Sequence, residues 1–207
     1  MANAWNNTRL SGKRVLQMNQ PTDRKQRSRN KILDAALRTF KQQGYVGSGV
    51  DGIMEAAGMT SGAFYGHFSS KSDVLGEAFV HSFIEDQAAM NGALSECETP
   101  EQLIEIMQKY LSSKHCEQVE EGCSIPPLLS DLGRADAETK ARFEEVIQWM
   151  VAQFQERSDN EFSRQEILAT LALCFGGLSL ARAVNSPALS RQILSACRKQ
   201  LPIQKCD

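Results

Sequence analysis

Residues 56–71 read AAGMTSGAFYGHFSSK, and the side chains there that can do chemistry are Tyr65 and His67. A phenolic hydroxyl and an imidazole each put a hydrogen-bonding tip on a flat ring, a combination suited to phosphate oxygens and base edges. Thr60, Ser61, Gly62 and Ala63 precede them, and residues this small let a backbone come close to whatever it meets. Such groups recognise rather than react. The chain carries no nucleophile motif, phosphate-cradling loop or clustered carboxylate motif, so no enzyme is expected and no cofactor is implied.

The elements that must position these side chains follow from spacing. From Asp23 to Gln43 the apolar residues Ile32, Leu33, Ala36, Leu37 and Phe40 recur on one helical face, and Gly44 supplies a stop. Ser48 is placed to cap a second helix, with Asp51 three residues on, and Val50, Ile53, Met54 and Ala57 form its buried side. Gly58 ends that helix, and Thr60, whose hydroxyl can accept from first-turn N–H groups, begins another. Two short helices joined across Gly58, Met59 and Thr60 predict a helix-turn-helix over about residues 49–68, its second helix projecting to fit a DNA major groove. Phe64 and Phe68, four apart, face inward and pin that helix to the first. Behind Ser70 and Asp73 a long helix starts near Lys71 and buries Val74, Leu75, Ala78, Phe79 and Phe83. A lysine at a helix N-terminus opposes the dipole, so Lys71 is expected to serve a phosphate, with Arg29 as a further source of positive charge.

Net charge over the 207 residues is −2, unevenly distributed. Residues 1–75 hold 11 Lys and Arg against 5 Asp and Glu, whereas residues 76–207 hold 12 against 20. A basic front on an acidic body is the footprint of a protein that meets a polyanion. Residues 1–22 are polar and aperiodic, contain Arg9, Lys13 and Arg14, and predict a basic flexible arm. An apolar fraction of 42% is globular, nothing near Met1 resembles a secretion signal, and the apolar runs fall short of a membrane span, so a cytoplasmic protein is expected. Six cysteines without C-x-x-C or zinc-ligand spacing read as reduced thiols.

Residues 50–71, VDGIMEAAGMTSGAFYGHFSSK, together with RNKILDAALRTFKQQGY at 29–45, resemble the DNA-binding domain of the TetR family of bacterial transcriptional regulators. The run FYGHF at 64–68 resembles one subgroup of that family, while Ser61 and Ala63 stand where many members carry a lysine and a threonine. The resemblance implies an all-α chain, with a three-helix helix-turn-helix domain over residues 23–86 and a larger helical ligand-binding and dimerisation domain over residues 87–207. It also implies a homodimeric repressor on a palindromic double-stranded DNA operator, released by a small-molecule inducer. The DNA-facing set is then Arg29, Ser48, Thr60, Ser61, Gly62, Ala63, Tyr65, His67 and Lys71.

Further along, Thr99-Pro100-Glu101-Gln102 opens a helix to about Lys114 that buries Leu103, Ile106, Met107 and Tyr110. Pro126-Pro127 leads into a short helix, and Asp136 to Gln155 carries an apolar stripe of Phe143, Val146, Ile147, Met150 and Phe154. Ser163-x-x-Glu166 caps a helix over residues 164–184 that is apolar nearly all round, and Ser186-Pro187 starts the last one. A helix of that kind needs cover on most sides, so a dimer through these two helices is expected, at Leu171, Phe175, Leu178 and Ile193. Phe83, Met90, Met107, Tyr110, Leu111, Trp149, Met150, Phe154 and Phe175 are candidates to line an inducer cavity. Oxidation of Cys116 or Cys123 is the alternative trigger. No metal site is expected from His115, Cys116 and Cys123, because adjacent side chains diverge on a helix.

Overall fold

The computed structural model describes residues 9–10, 13–14, 24–95 and 99–201, with side chains for residues 24–83 and 99–201. The expected arm lies outside the described residues apart from a short antiparallel ladder that pairs Arg9–Leu10 with Lys13–Arg14. The Met90 side chain also lies outside them. The remaining regular structure is helical: α1 (Arg24–Gly47), α2 (Val50–Ala56), a 3-10 turn (Ser61–Gly66), α3 (Lys71–Ser95), α4 (Pro100–Tyr110), α5 (Ser113–Glu117), α6 (Ile125–Arg134), α7 (Ala137–Arg157), α8 (Arg164–Ala183) and α9 (Pro187–Lys199).

α1, α2, the 3-10 turn and the start of α3 pack into an N-terminal head, and the rest of α3 joins α4 to α9 in a helical body. Ile32, Leu33, Ala36 and Phe40 of α1, Ile53 and Met54 of α2, and Phe64 and Phe68 fill the head. The expected boundary at residue 86 falls inside α3, whose apolar face runs unbroken from Val74 and Leu75 in the head to Phe79 and Phe83 against Phe143 and Trp149 of α7.

Several of the expected starts and stops are found. Gly44 and Gly58 take left-handed φ of 71° and 67° and break the chain as anticipated. Asp136 accepts from Thr139 N–H, Ser163 from Glu166 N–H and Ser186 from Leu189 N–H, each capping its helix.

Three local expectations are corrected. Gly49, not Ser48, is the N-cap of α2; the Ser48 hydroxyl turns inward and donates to the Gly44 carbonyl at 2.7 Å, one of the carbonyls that the break at Gly44 leaves open. Thr60 makes no side-chain cap, and the helix after it is a 3-10 turn closed by Ala63 N–H on the Thr60 carbonyl and His67 N–H on the Phe64 carbonyl. Glycines at 62 and 66 disfavour the longer α form. The helix predicted to Lys114 is two: Leu111 leaves helical geometry (φ −85°, ψ 35°), and Ser112 caps α5 by accepting from His115 N–H.

α8 also differs from expectation. The helix is 20 residues long and its most apolar 18-residue window has a mean hydropathy of 1.4, enough, by length and composition, to cross a membrane. In the fold one face of it, including Ile167, Leu171, Phe175 and Leu178, is buried in the body.

Candidate nucleic-acid interface and effector cavity

The head presents the 3-10 turn outward on a rigid base. Phe64 is fully buried and Phe68 nearly so, their ring centroids 5.8 Å apart, while Tyr65 between them is 73% exposed. Thr60, Ser61 and Gly62 are exposed and Ala63 is half-buried, and a Cβ built on Gly62 meets no atom within 4 Å. Five of the nine residues expected to face DNA, Thr60, Ser61, Gly62, Ala63 and Tyr65, thus lie together at one edge of the head. His67 sits at its end, half-buried, with Nδ1 sealed and without a hydrogen-bond partner among the described residues. Burial first, then the charges of Lys25 and Arg29, lower its pKa, so the imidazole is neutral at pH 7 rather than a cation.

The other three expected contacts are engaged inside the head. Lys71 Nζ donates to the carbonyls of Tyr45 at 2.8 Å and Ser48 at 2.9 Å and lies 4.2 Å from the Tyr45 ring centroid. Here the unfavourable helix-terminal lysine caps carbonyls at the end of α1. Arg29 pairs with Glu77, donates to the His67 carbonyl at 2.9 Å, and stacks 4.1 Å above Phe68. Ser48 is buried, so its hydroxyl has no access to a phosphate. The cations standing free at the surface of the head are ones the motif reading passed over: Arg24, Lys25, Arg27, Lys31 and Arg38, all on exposed positions of α1. Only their alternation with the buried face of α1 signals them in the sequence.

The body encloses a cavity of about 360 Å³. Of the eight expected lining residues with described side chains, Phe83, Met107, Tyr110, Met150, Phe154 and Phe175 border it. Leu111 and Trp149 do not. Leu111, just past the end of α4, is fully buried beside Gly177 of α8, and Trp149 stacks edge-on behind Phe83 at 5.2 Å. Sequence reasoning missed the polar part of the wall, which comes from α5, the 118–124 loop and α8: His115, Cys123, Ser124 and Cys174.

His115 organises that wall. Its Nδ1 contacts the Tyr110 carbonyl at 2.7 Å and its Nε2 lies 3.2 Å from the Cys123 N–H. A backbone donor at Nε2 requires the neutral tautomer with the proton on Nδ1, in keeping with a pKa that burial lowers. The Tyr110 hydroxyl is sealed from solvent and meets no oxygen or nitrogen partner among the described residues; burial, and then the neighbouring Cys123 and Cys174 thiols, push its pKa up. Burial raises the Cys174 thiol to about 12, so it is not a nucleophile at neutral pH.

Head and body are bonded directly. Lys41 of α1 donates to the carbonyls of Glu120 at 3.0 Å and Gly122 at 2.7 Å, on the loop that walls the cavity. The Tyr45 N–H donates to Asp131 of α6 at 3.1 Å, and Arg134 pairs with the same carboxylate at 2.8 Å. From the other side Arg182 of α8 donates to the carbonyls of His115 and Cys116, holding α5.

Of the four residues expected at a dimer interface, Leu171, Phe175 and Leu178 lie in the protomer's own core and Ile193 is half-buried. The physical reason is that α9 and α6 cover that face of α8, with Cys197 of α9 tight against Gly177. The face of α8 left open carries Leu168, Ala172, Gly176 and Leu180 in a row, with Leu189 exposed on α9.

Comparison with known proteins agrees with this geometry. Residues 32–78 match the domain described as "Bacterial regulatory proteins, tetR family". The chain is 50% identical over 52 residues to the HTH-type transcriptional regulator AcrR of Shigella flexneri, covering 25% of this chain and 24% of that protein. It is 31% identical over 106 residues to the HTH-type transcriptional regulator LmrA of Bacillus subtilis, covering 50% and 56%. The chain thus spans between about a quarter and three fifths of the length of the first curated relatives it matches. In fold it is similar to the crystal structure of E. coli NemR in its reduced form, with TM-score 0.69 at 17% identity over 84% of this chain and 96% of that one. It is likewise similar to a TetR transcriptional regulator from Chloroflexus aurantiacus, with TM-score 0.71 at 19% identity over 87% and 96%. Residues 32–78, which hold the helix-turn-helix, thus form a DNA-binding domain of the tetR type of bacterial regulatory proteins.

Proposed function

We propose that the protein is a soluble, cytoplasmic, homodimeric transcriptional repressor that reads a palindromic operator with its 3-10 turn and releases it when a small molecule fills the cavity of the body. Thr60 to Ala63 and Tyr65 enter the major groove, and the exposed cations of α1 take the phosphates on either side. The row Leu168, Ala172, Gly176 and Leu180, with Leu189, meets its copy across a two-fold axis and sets the spacing of the two heads.

The observation that carries effector control is Lys41. One ammonium of the head holds two carbonyls of the cavity loop, so an occupant that displaces this loop moves α1 with it. Release then needs only an effector that binds better when the loop, and hence the head, is displaced.

The test uses an operator selected from random duplexes and a variant that fills the cavity without a ligand. Cys174→Phe lowers operator affinity by roughly tenfold, and adding Lys41→Met restores most of it, while melting temperatures confirm that all variants fold. Operator affinity unchanged in folded Cys174→Phe would remove the coupling. A second reading shares the lever: peroxide oxidises the Cys123 thiol, beside Gly122 in the same loop, to a sulfenic acid while the peroxide is reduced to water. Loss of operator binding with peroxide, abolished by Cys123→Ser, distinguishes it from the leading reading. Cys116, the other expected redox residue, is buried 3.8 Å from the Ser190 hydroxyl and is not on the cavity wall.

A further inference from the structure

We propose that the cavity takes an uncharged, largely apolar molecule of roughly two or three rings carrying one hydrogen-bond acceptor, and that the Tyr110 hydroxyl donates to that acceptor. This assignment rests on the effector reading above and adds to it the ligand's chemistry and its anchor.

The charge of the ligand follows from the wall. Phe83, Met107, Met150, Phe154 and Phe175 supply an apolar lining, and among the described residues no lysine or arginine borders the cavity. An anion would leave water for a wall that bears no cation; the Arg182 guanidinium, whose charge reaches Tyr110, does not border the cavity and is bonded to the His115 and Cys116 carbonyls. The one carboxylate on the lining, Glu121, is exposed, where water screens its attraction for a cation.

The acceptor follows from which polar groups are already engaged. His115 uses both ring nitrogens, donating to the Tyr110 carbonyl and accepting from the Cys123 N–H. Ser124 shares a hydrogen bond of 2.9 Å with Ser82. Tyr110 is different: its hydroxyl is buried with only the Cys123 thiol beside it and no oxygen or nitrogen acceptor, and since sulfur accepts weakly, a ligand carbonyl or ether oxygen would give this donor a stronger bond. The ring that carries it is held edge-on by His115 at 4.5 Å and by Phe175 at 6.1 Å, so the donor is positioned before the ligand arrives.

Displacement of the fluorescent, uncharged probe phenylnaphthylamine from the full-length protein tests this with three naphthalenes matched in size and ring position. The acetyl derivative offers a neutral acceptor, the ethyl derivative none, and the carboxylate a charge. The ketone is expected to bind about tenfold tighter than the hydrocarbon, the gain when a buried donor finds its acceptor, and the carboxylate more weakly than the ketone. Tyr110→Phe should erase the ketone's advantage while leaving the hydrocarbon's affinity unchanged. A carboxylate that binds as well as the ketone overturns the assignment, as does a ketone advantage that survives Tyr110→Phe, or no probe uptake by the wild type. Labelled operator in the same samples reads release separately. Binding that obeys the Tyr110 rule with the operator still held supports the ligand class and sinks the effector reading instead.

Discussion

The head and the body are built from similar aromatic residues to opposite ends. In the head, Phe40, Phe64 and Phe68 close on Ile32, Leu33 and Ile53 with nearly all surface buried, and Arg29 and Lys71 bind the loose carbonyls at its joints. In the body, Phe83, Phe154, Phe175 and Met150 stand around about 360 Å³ of open space, with a tyrosine hydroxyl that meets no oxygen or nitrogen acceptor among the described residues. A reading surface must hold its shape, because a displaced backbone loses its fit to the groove; an effector site must keep room and unmet polar capacity, because these are what a ligand supplies. The head is therefore filled and the body hollow, as the proposed division between groove reading and effector control requires.

The comparison is sharpened most by emptying the head. Phe64→Ala should cost roughly 3 to 5 kcal/mol by denaturant unfolding, whereas Phe154→Ala, bordering space that already exists, should fall at or below the bottom of that range. Equal losses at the two positions would mean that the body is packed as tightly as the head.

The next effect is on DNA. Gly62→Glu and Gly133→Glu both add a carboxylate where a side chain meets nothing within 4 Å, one on the reading turn and one on α6 of the body. The first should lower operator affinity by roughly tenfold to a hundredfold, through like charge against phosphate, and the second should not change it. A folded Gly62→Glu protein with wild-type affinity would take the 3-10 turn out of the groove.

The smallest effect comes from adding volume. Leu33→Phe in the filled head should destabilise by about 1 to 3 kcal/mol, while Leu171→Phe, on the cavity wall, should be close to neutral. A large loss from Leu171→Phe would break the contrast between a filled head and a hollow body.

How far the sequence could be read depended on the reach of each interaction. The caps at Ser163 and Ser186 and the turns at Gly44 and Gly58 were legible because donor, acceptor and strain all lie within one turn of chain. Ser48 looked like a cap by the same rule but found the Gly44 carbonyl, which only the kink exposes. Lys71 and Arg29 were legible as positive charges but not as struts, since their partners are set by the crossing of α1 and α3. On α8 the apolar content was plain, yet the inward side was not, because Leu168, Ala172, Gly176 and Leu180 on one face are about as apolar as Leu171, Phe175 and Leu178 on the other.

By itself the sequence determined most of the helices, the joint at Gly58 to Thr60, the small exposed residues of the 3-10 turn and most of the apolar cavity wall, since each is set by periodicity, glycine conformation or side-chain size over a few residues. Only the tertiary structure decided that Lys41 grips a loop 81 residues away, that Tyr45 meets Asp131 and that the Tyr110 hydroxyl is sealed beside the Cys123 thiol. Contacts at that separation depend on how whole helices cross, and helix crossing is fixed by the packing of all the faces at once rather than by any stretch of chain.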